Sequence, residues 1–148
     1  MGIASLAVAA ALWLPCLRVL FHEPTAQHYS ADGVPPKARK MAAWHLRLWT
    51  DPALREREVA TMRGSNAEWD FMGRTFLVLS LGNLALRDPA TTPTALEVMD
   101  RIIDETLRLE RQEGMFHFLM PYARSGRIIQ QPARSQFLDG EMALMLAV

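Results

Sequence analysis

Residues 75–86 read TFLVLSLGNLAL and carry no charge on any side of the helix that their pattern indicates. Arg74 and Arg87 bracket this stretch, which is too short to cross a bilayer by itself. A helix that is apolar all round is enclosed by protein or lies in lipid. The sequence therefore predicts that other helices cover this helix on every side.

A second stretch, Met142–Val148 (MALMLAV), is also apolar on every side. The helix expected between the two stretches differs, because its apolar stripe, with Leu96, Met99 and Ile103, occupies one side only. Enclosed and half-exposed helices thus alternate along the chain. Two layers of helices, one covered everywhere and one covered on a single side, would produce this alternation.

The 148 residues, half of them hydrophobic, are enough for one domain with a core. The predicted fold class is all-α, built from antiparallel helical hairpins. Asp51-Pro52 is a typical helix start, and Ser65-Asn66-Ala67-Glu68 has the pattern of a capping box. Helices are expected over 37–49, 52–63, 66–87, 92–114 and from 135 or 138 onward. Residues 115–134 are predicted to form a long loop or a hairpin built on FHFLM and RIIQ.

The amino-terminal segment is strongly hydrophobic. Gly2–Phe21 reads GIASLAVAAALWLPCLRVLF, with Arg18 as its single charge. We interpret residues 1–22 as a membrane anchor or uncleaved signal, 23–36 as a linker and 37–148 as the helical domain. The segment lacks the basic start and the A-x-A site of a cleaved signal peptide. A buried core helix is the remaining alternative. Basic residues after the segment favour a cytoplasmic domain, although the side of the membrane stays open.

Overall composition argues against several classes of protein. The 16 basic residues are balanced by 16 acidic ones, which disfavours nucleic-acid binding. The single cysteine, Cys16, permits no internal disulfide or cysteine-based metal cluster. No phosphate loop, G-x-S-x-G or H-E-x-x-H motif occurs in the sequence. We expect no metal and no cofactor, and the oligomeric state is left open.

The helix alternation and the polar beginnings of the enclosed helices resemble the α/α toroid superfold. Glycoside hydrolases and lyases, terpenoid cyclases and the linalool dehydratase-isomerase group share this fold. The resemblance covers roughly residues 37–148 and implies the amino-terminal part of a longer toroid. It also implies a central cavity ringed by the inner-helix beginnings and the loops before them. A self-contained helical bundle is the alternative.

Polar residues at the beginnings of the enclosed helices, and in the loop before the second, are the candidate site. The candidate catalytic residues are Asp70, His117, Asp139 and Glu141. The candidate substrate-binding residues are Asn66, Trp69, Arg74, Tyr122, Arg134 and Gln136. An acid from each helix, Asp70 with Asp139 or Glu141, would form the carboxylate pair of glycoside hydrolysis or epimerisation. Asp139 and Glu141 lie about 200° apart around a helix, so at most one lines a cavity.

Each candidate also has a purely structural interpretation. Asp70 and Arg74 have the i,i+4 spacing of a pair that neutralises itself, and Glu68 would complete the capping box. His117 would act as a general base or pack in the core. The basic loop with Arg124 and Arg127 would bind a carboxylate or phosphate, or remain solvated.

The function expected from these features is a membrane-anchored, incomplete toroid enzyme. It would act by acid/base chemistry on a carbohydrate or terpenoid-like substrate, which is polar or anionic. The alternative is a non-catalytic helical module at the membrane. This module would bind a partner through the Met- and aromatic-rich faces of the helices over 92–114 and 135–148, since flexible methionines suit varied contacts.

Overall fold

The computed structural model describes residues 2–31, 33–125 and 134–148. The predicted all-α class is confirmed, since no strand occurs in these ranges. The helices are α1 (Ile3–Phe21), α2 (Thr25–His28), α3 (Pro36–Thr50), α4 (Pro52–Ser65), α5 (Ala67–Arg87), α6 (Thr92–Glu113) and α7 (Gln136–Ala147). Between α6 and α7, two 3-10 helices, Met115–Phe118 and Pro121–Ser125, form what we call the 3-10 segment.

The chain divides into two compact units, Met1–Ala38 and Arg39–Val148. Helix α1 of the first unit is long and apolar enough to cross a membrane, with a mean hydropathy of 2.0. None of its residues is buried. A signal sequence or a core helix satisfies the same criteria of length and composition. Helix α1 is therefore long and apolar, and its insertion into a membrane is a proposal.

A single residue, Asn66, makes the corner between α4 and α5. Its extended backbone ends one helix, and its side-chain oxygen accepts a hydrogen bond of 2.8 Å from the amide of Glu68 to begin the next. The predicted capping box is therefore wrong in its first residue, because Ser65 still belongs to α4. Asp51 caps α4 as the sequence predicts, accepting from the amide of Leu54.

Helices α5 and α6 run antiparallel. The hydroxyl of Thr92, at the beginning of α6, donates to the carbonyl of Ala85 near the end of α5. The buried face of α6 follows helical spacing and consists of Ala95, Val98, Met99, Ile102 and Thr106. This face is rotated slightly from the predicted stripe, since Leu96 is exposed and Ile103 is only partly buried.

Helices α5 and α7 run parallel, with their beginnings at one end. The rings of Phe71 and Phe137, near the two beginnings, have centroids 5.6 Å apart. At the other end, Gly82 lets Val148 approach so closely that a methyl group on the glycine would overlap the valine side chain. The beginnings of α5 and α7 therefore lie near each other.

The predicted enclosure of α5 on every side is wrong. One stripe of α5 remains exposed, including Trp69 at 60% and Phe76 at 59% exposure. Leu86, in the last turn, is 86% exposed on a different side of the helix. Helices α4, α6 and α7 pack against α5, and residues seven apart, such as 69 and 76, share the face that they leave uncovered. On α7, Leu144 and Leu146 are exposed as well. An apolar sequence therefore did not guarantee burial within this chain.

The corner residue provides a test of the capping assignment. We expect Asn66→Ala to lower the free energy of unfolding by about 1 kcal/mol, because the Glu68 amide loses its acceptor. Ser65→Ala is the matched control and should have a clearly smaller effect. Urea denaturation followed by circular dichroism measures both. A larger loss for Ser65→Ala would restore serine as the cap and contradict the structure.

Candidate functional site

An open cleft of about 470 Å³ lies between the α4–α5 corner and the 3-10 segment. The corner contributes Arg63, Gly64, Ser65 and Ala67 to its lining. The other wall, from the end of α6 through the 3-10 segment, contributes Glu113, Phe116, His117, Leu119, Met120, Pro121 and Arg124. Such a volume falls in the range of about 300–1,000 Å³ that small-molecule sites occupy.

A network of ion pairs lies behind the corner wall. Arg74 donates to Asp70 at 2.8 Å and to Glu105 of α6 at 3.2 Å. Arg63 holds the second oxygen of Asp70 at 3.1 Å, and Arg55 pairs with Glu105 at 3.4 Å. Asp70 and Arg74 are only 2% and 3% exposed. The network therefore joins α4, α5 and α6 through buried charges.

Aromatic rings surround the guanidinium of Arg74. Its Cζ lies 5.1 Å from the ring centroid of Trp49 and 5.6 Å from that of Phe118. Phe118 in turn contacts Phe71, with centroids 5.2 Å apart. Rings over a buried guanidinium stabilise its charge through their quadrupoles. The first 3-10 helix is thus packed directly on the buried network.

Arg63 connects the network to the cleft. While one of its nitrogens holds Asp70, the other donates to the backbone carbonyl of His117 at 2.9 Å. The imidazole of His117 stacks edge-on against Phe118, with ring centroids 4.8 Å apart. Both the backbone and the ring of His117 therefore have fixed neighbours.

Glu68 fastens the second half of the 3-10 segment. One of its carboxylate oxygens accepts from the hydroxyl of Tyr122 at 2.8 Å and from the amide of Met120 at 3.2 Å. The hydrogen bond to this carboxylate raises the pKa of the Tyr122 phenol above its usual 10.0. Glu68 therefore holds a protonated tyrosine at the cleft, instead of closing the predicted capping box.

Burial lowers the pKa of the His117 imidazole below its usual 6.5, and the neighbouring Arg63 guanidinium lowers it further. His117 is consequently neutral at physiological pH. A neutral imidazole next to a cleft is able to accept a proton. Among the described residues, no group of three or more His, Cys, Asp or Glu side chains is arranged to hold a metal ion.

The candidate residues predicted from the sequence occupy different positions relative to the cleft. Asp70 and Arg74 form the predicted i,i+4 pair, but their burial removes them from direct contact with a ligand. His117 lines the cleft, whereas Tyr122 does not; the Tyr122 hydroxyl binds Glu68, which also accepts from the amide of the lining residue Met120. Asn66 is occupied as a helix cap.

The remaining candidates are not among the residues that line this cleft. Arg134 and Asp139 form an ion pair of 3.4 Å with each other, and Gln136 is exposed. Glu141 is partly buried, and Trp69 lies on the exposed stripe of α5. None of these side chains lines the cleft, so the predicted pairing of Asp70 with Asp139 or Glu141 is not part of it.

Part of the predicted loop is now defined. FHFLM does not begin a hairpin, since Met115–Phe118 is a 3-10 helix. The other half of that hairpin, RIIQ with Arg127, lies outside the described residues. Arg63, which links Asp70 to His117, was missed because its role depends on a contact 54 residues along the chain.

No protein-family model, curated protein or solved structure matches this chain. Function is therefore inferred from the geometry of the cleft.

The lowered pKa of His117 has a consequence for stability. Below about pH 6.5 the unfolded chain binds a proton at this residue more readily than the folded chain does, so stability falls on acidification. Above that pH, His117 is neutral in both the folded and the unfolded chain, so its contribution to the free energy of unfolding does not change with pH. We expect His117→Gln to lose less stability than the wild type between about pH 7.5 and about pH 5.5. Urea denaturation at both pH values measures this, and equal losses would contradict the assignment.

Proposed function

We propose that this chain is a membrane-anchored helical enzyme of the α/α-toroid type, with α1 as its anchor. It uses acid/base chemistry on a small carbohydrate or terpenoid-like substrate. The observation that carries the proposal is the cleft at the α4–α5 corner. It is lined by His117, whose pKa is lowered, and by Met120, whose amide shares the Glu68 carboxylate with the Tyr122 hydroxyl. The parallel α5 and α7, with antiparallel α6, are the arrangement expected for two inner helices and one outer helix.

The side chains at the cleft suit proton transfer. His117 is neutral and would accept a proton from the substrate as a general base. The phenol of Tyr122 stays protonated because its pKa is raised, and it would donate a proton in the same site. Asp70 has a different role from the one predicted, since Arg63 and Arg74 occupy its oxygens. Its buried charge fixes Arg63, and Arg63 fixes His117.

A panel of sugars and short isoprenoid alcohols, each as the neutral compound and as its monophosphate, tests this proposal on the full chain in non-ionic detergent micelles. Binding is followed by nuclear magnetic resonance through the ring signals of His117 and the amide signal of the cleft residue Met120, of which the second also reports on His117→Gln, and conversion is followed by mass spectrometry. We expect at least one compound to shift these signals and to be converted, and His117→Gln to abolish conversion while leaving binding measurable. His45→Gln, on α3, is the matched control. The proposal fails if no compound shifts the His117 signals, or if His117→Gln converts substrate at the wild-type rate.

A second candidate function is a helical interaction module at the membrane. Exposed apolar side chains on α5, such as Phe76, and on α7, such as Leu144, favour it. The sequence predicted contacts through the helices over 92–114 and 135–148. In a toroid, further helices would cover these side chains.

Two variants separate the candidate functions. For the interaction module, we expect Phe76→Ser to weaken assembly measured by sedimentation in micelles, while His117→Gln leaves assembly unchanged. For the enzyme, we expect His117→Gln to abolish conversion whether or not Phe76→Ser changes assembly. An unchanged assembly state in Phe76→Ser would remove the support for the module.

A further inference from the structure

We propose that the cleft binds the anionic group of its ligand, a carboxylate or a phosphate, between Arg63 and Arg124. This inference deepens the proposed function, because it concerns the same cleft and names the class of substrate. The ligand is then a small organic anion whose uncharged part lies against the apolar wall of the cleft.

The lining of the cleft holds more basic than acidic side chains. It contains two guanidinium groups, those of Arg63 and Arg124, and one carboxylate, that of Glu113. Glu68 adds a negative charge nearby, since its carboxylate accepts from neutral donors of Tyr122 and Met120. The two guanidinium groups of the lining are therefore the groups that would bind an anion.

The Arg63 side chain, which is 27% exposed, has donors to spare. Of the five N–H groups of a guanidinium, one binds Asp70 and one binds the carbonyl of His117. The other three N–H groups of Arg63 have no hydrogen-bond acceptor among the described residues. Because both existing bonds fix the guanidinium in place, binding a planar carboxylate or a phosphate to it loses little additional entropy.

Arg124 provides a second guanidinium on the 3-10 wall. Its Cζ lies 5.4 Å from the ring centroid of Phe116. Phe116, Leu119 and Met120 line the cleft as well and give this wall an apolar surface. The cleft therefore combines charged donors with an apolar surface, the combination that recognises an organic anion.

Matched pairs of ligands test the inference on the full chain in non-ionic micelles. The probes are glucose and glucose 6-phosphate, 3-methylbut-2-enol and its monophosphate, and inorganic phosphate. Binding is followed through the ring signals of His117 and the amide signal of Met120. We expect each monophosphate to bind at least about tenfold more tightly than its neutral parent. We also expect bound phosphate to raise the pKa of His117, since a nearby negative charge favours the imidazolium.

Substitution of Arg124 locates the site without disturbing the buried network. We expect Arg124→Gln to weaken binding of the monophosphates about tenfold, and Arg124→Lys to retain part of the affinity. Arg57→Gln is the matched control, because Arg57 is an exposed residue of α4 that pairs with the adjacent Glu58. It should leave affinity unchanged.

The outcomes distinguish this inference from the proposed function. Equal affinity for neutral and phosphorylated probes overturns the anion site and leaves the enzyme proposal standing. Inorganic phosphate that binds as tightly as the esters, with the same change at His117, supports the anion site but counts against an organic substrate. Equal weakening by Arg57→Gln and Arg124→Gln, or no binding of any anion, overturns the inference.

Discussion

Replacing Asp70 with alanine should lower the free energy of unfolding by about 3–5 kcal/mol, the range for breaking a buried ion pair. Asp70 is 2% exposed and accepts hydrogen bonds from both Arg63 and Arg74. Without it, Arg74 remains buried with Glu105 as its single acidic partner. The loss therefore comes mainly from an uncompensated charge, and Arg63 also loses one of the two contacts that fix it.

Asp139→Ala is the matched control for this substitution. Asp139 also accepts from an arginine, but both partners of that ion pair are solvent-exposed. Surface ion pairs contribute about 0–1 kcal/mol, so the control should be nearly neutral. Urea denaturation of the full chain in micelles, followed by tryptophan fluorescence, measures both variants. Similar losses for Asp70→Ala and Asp139→Ala would show that the network is not buried as described.

Phe71→Ala should cost about 3–5 kcal/mol, because it leaves a cavity where three elements meet. Phe71 is 1% exposed, and its ring contacts Phe118 of the 3-10 segment and Phe137 of α7. We expect the variant to loosen the 3-10 segment as well, which faster hydrogen exchange at the amide of Leu119 would detect.

Phe76→Ala is the control for Phe71→Ala, since it removes the same side chain from the exposed side of the same helix. Exposed substitutions are usually within about 0.5 kcal/mol of neutral. Comparing the two variants therefore shows whether the loss of stability comes from burial of the phenylalanine or from its removal as such. If Phe76→Ala destabilises the protein as much as Phe71→Ala does, the exposed stripe of α5 is wrongly assigned.

Local signals in the sequence predicted much of the secondary structure. Asp51-Pro52 begins a helix because a carboxylate caps the first amides and proline suits the first turn. Asp70 and Arg74 pair because residues four apart lie on one side of a helix. These features need no knowledge of distant parts of the chain. The sequence predicted Ser65 as the cap, whereas Asn66 caps the helix; both side chains suit that position, and the local pattern does not distinguish them.

The centre of the site depends on contacts that the sequence does not reveal. Arg63 is one of many arginines, and its contact with the carbonyl of His117 follows from how the 3-10 segment folds back. The pairing of Arg74 with Glu105 likewise depends on the register of α5 against α6. Neither contact leaves a periodic signal. Glu68 is a related case, since a local cap explained it plausibly while a distant tyrosine binds it.

The exposed stripe of α5 shows a second limit of pattern analysis. The absence of charge over residues 75–86 indicates an apolar surface, and the sequence predicted that protein would cover it. The hydrophobic effect favours covering such a surface but does not specify which segment or molecule does so. Phe76 and Leu86 are therefore apolar and yet exposed in this chain.

Ring contacts in solution test the geometry on which the cleft, the network and the proposed function all depend. Nuclear Overhauser measurements on the phenylalanine-labelled full chain in micelles would report them. We predict cross-peaks from Phe71 to both Phe118 and Phe137, because the centroids lie 5.2 Å and 5.6 Å apart. These signals would place the 3-10 segment and the beginning of α7 beside the beginning of α5. Cross-peaks from Phe71 to neither ring would contradict the arrangement that forms the cleft.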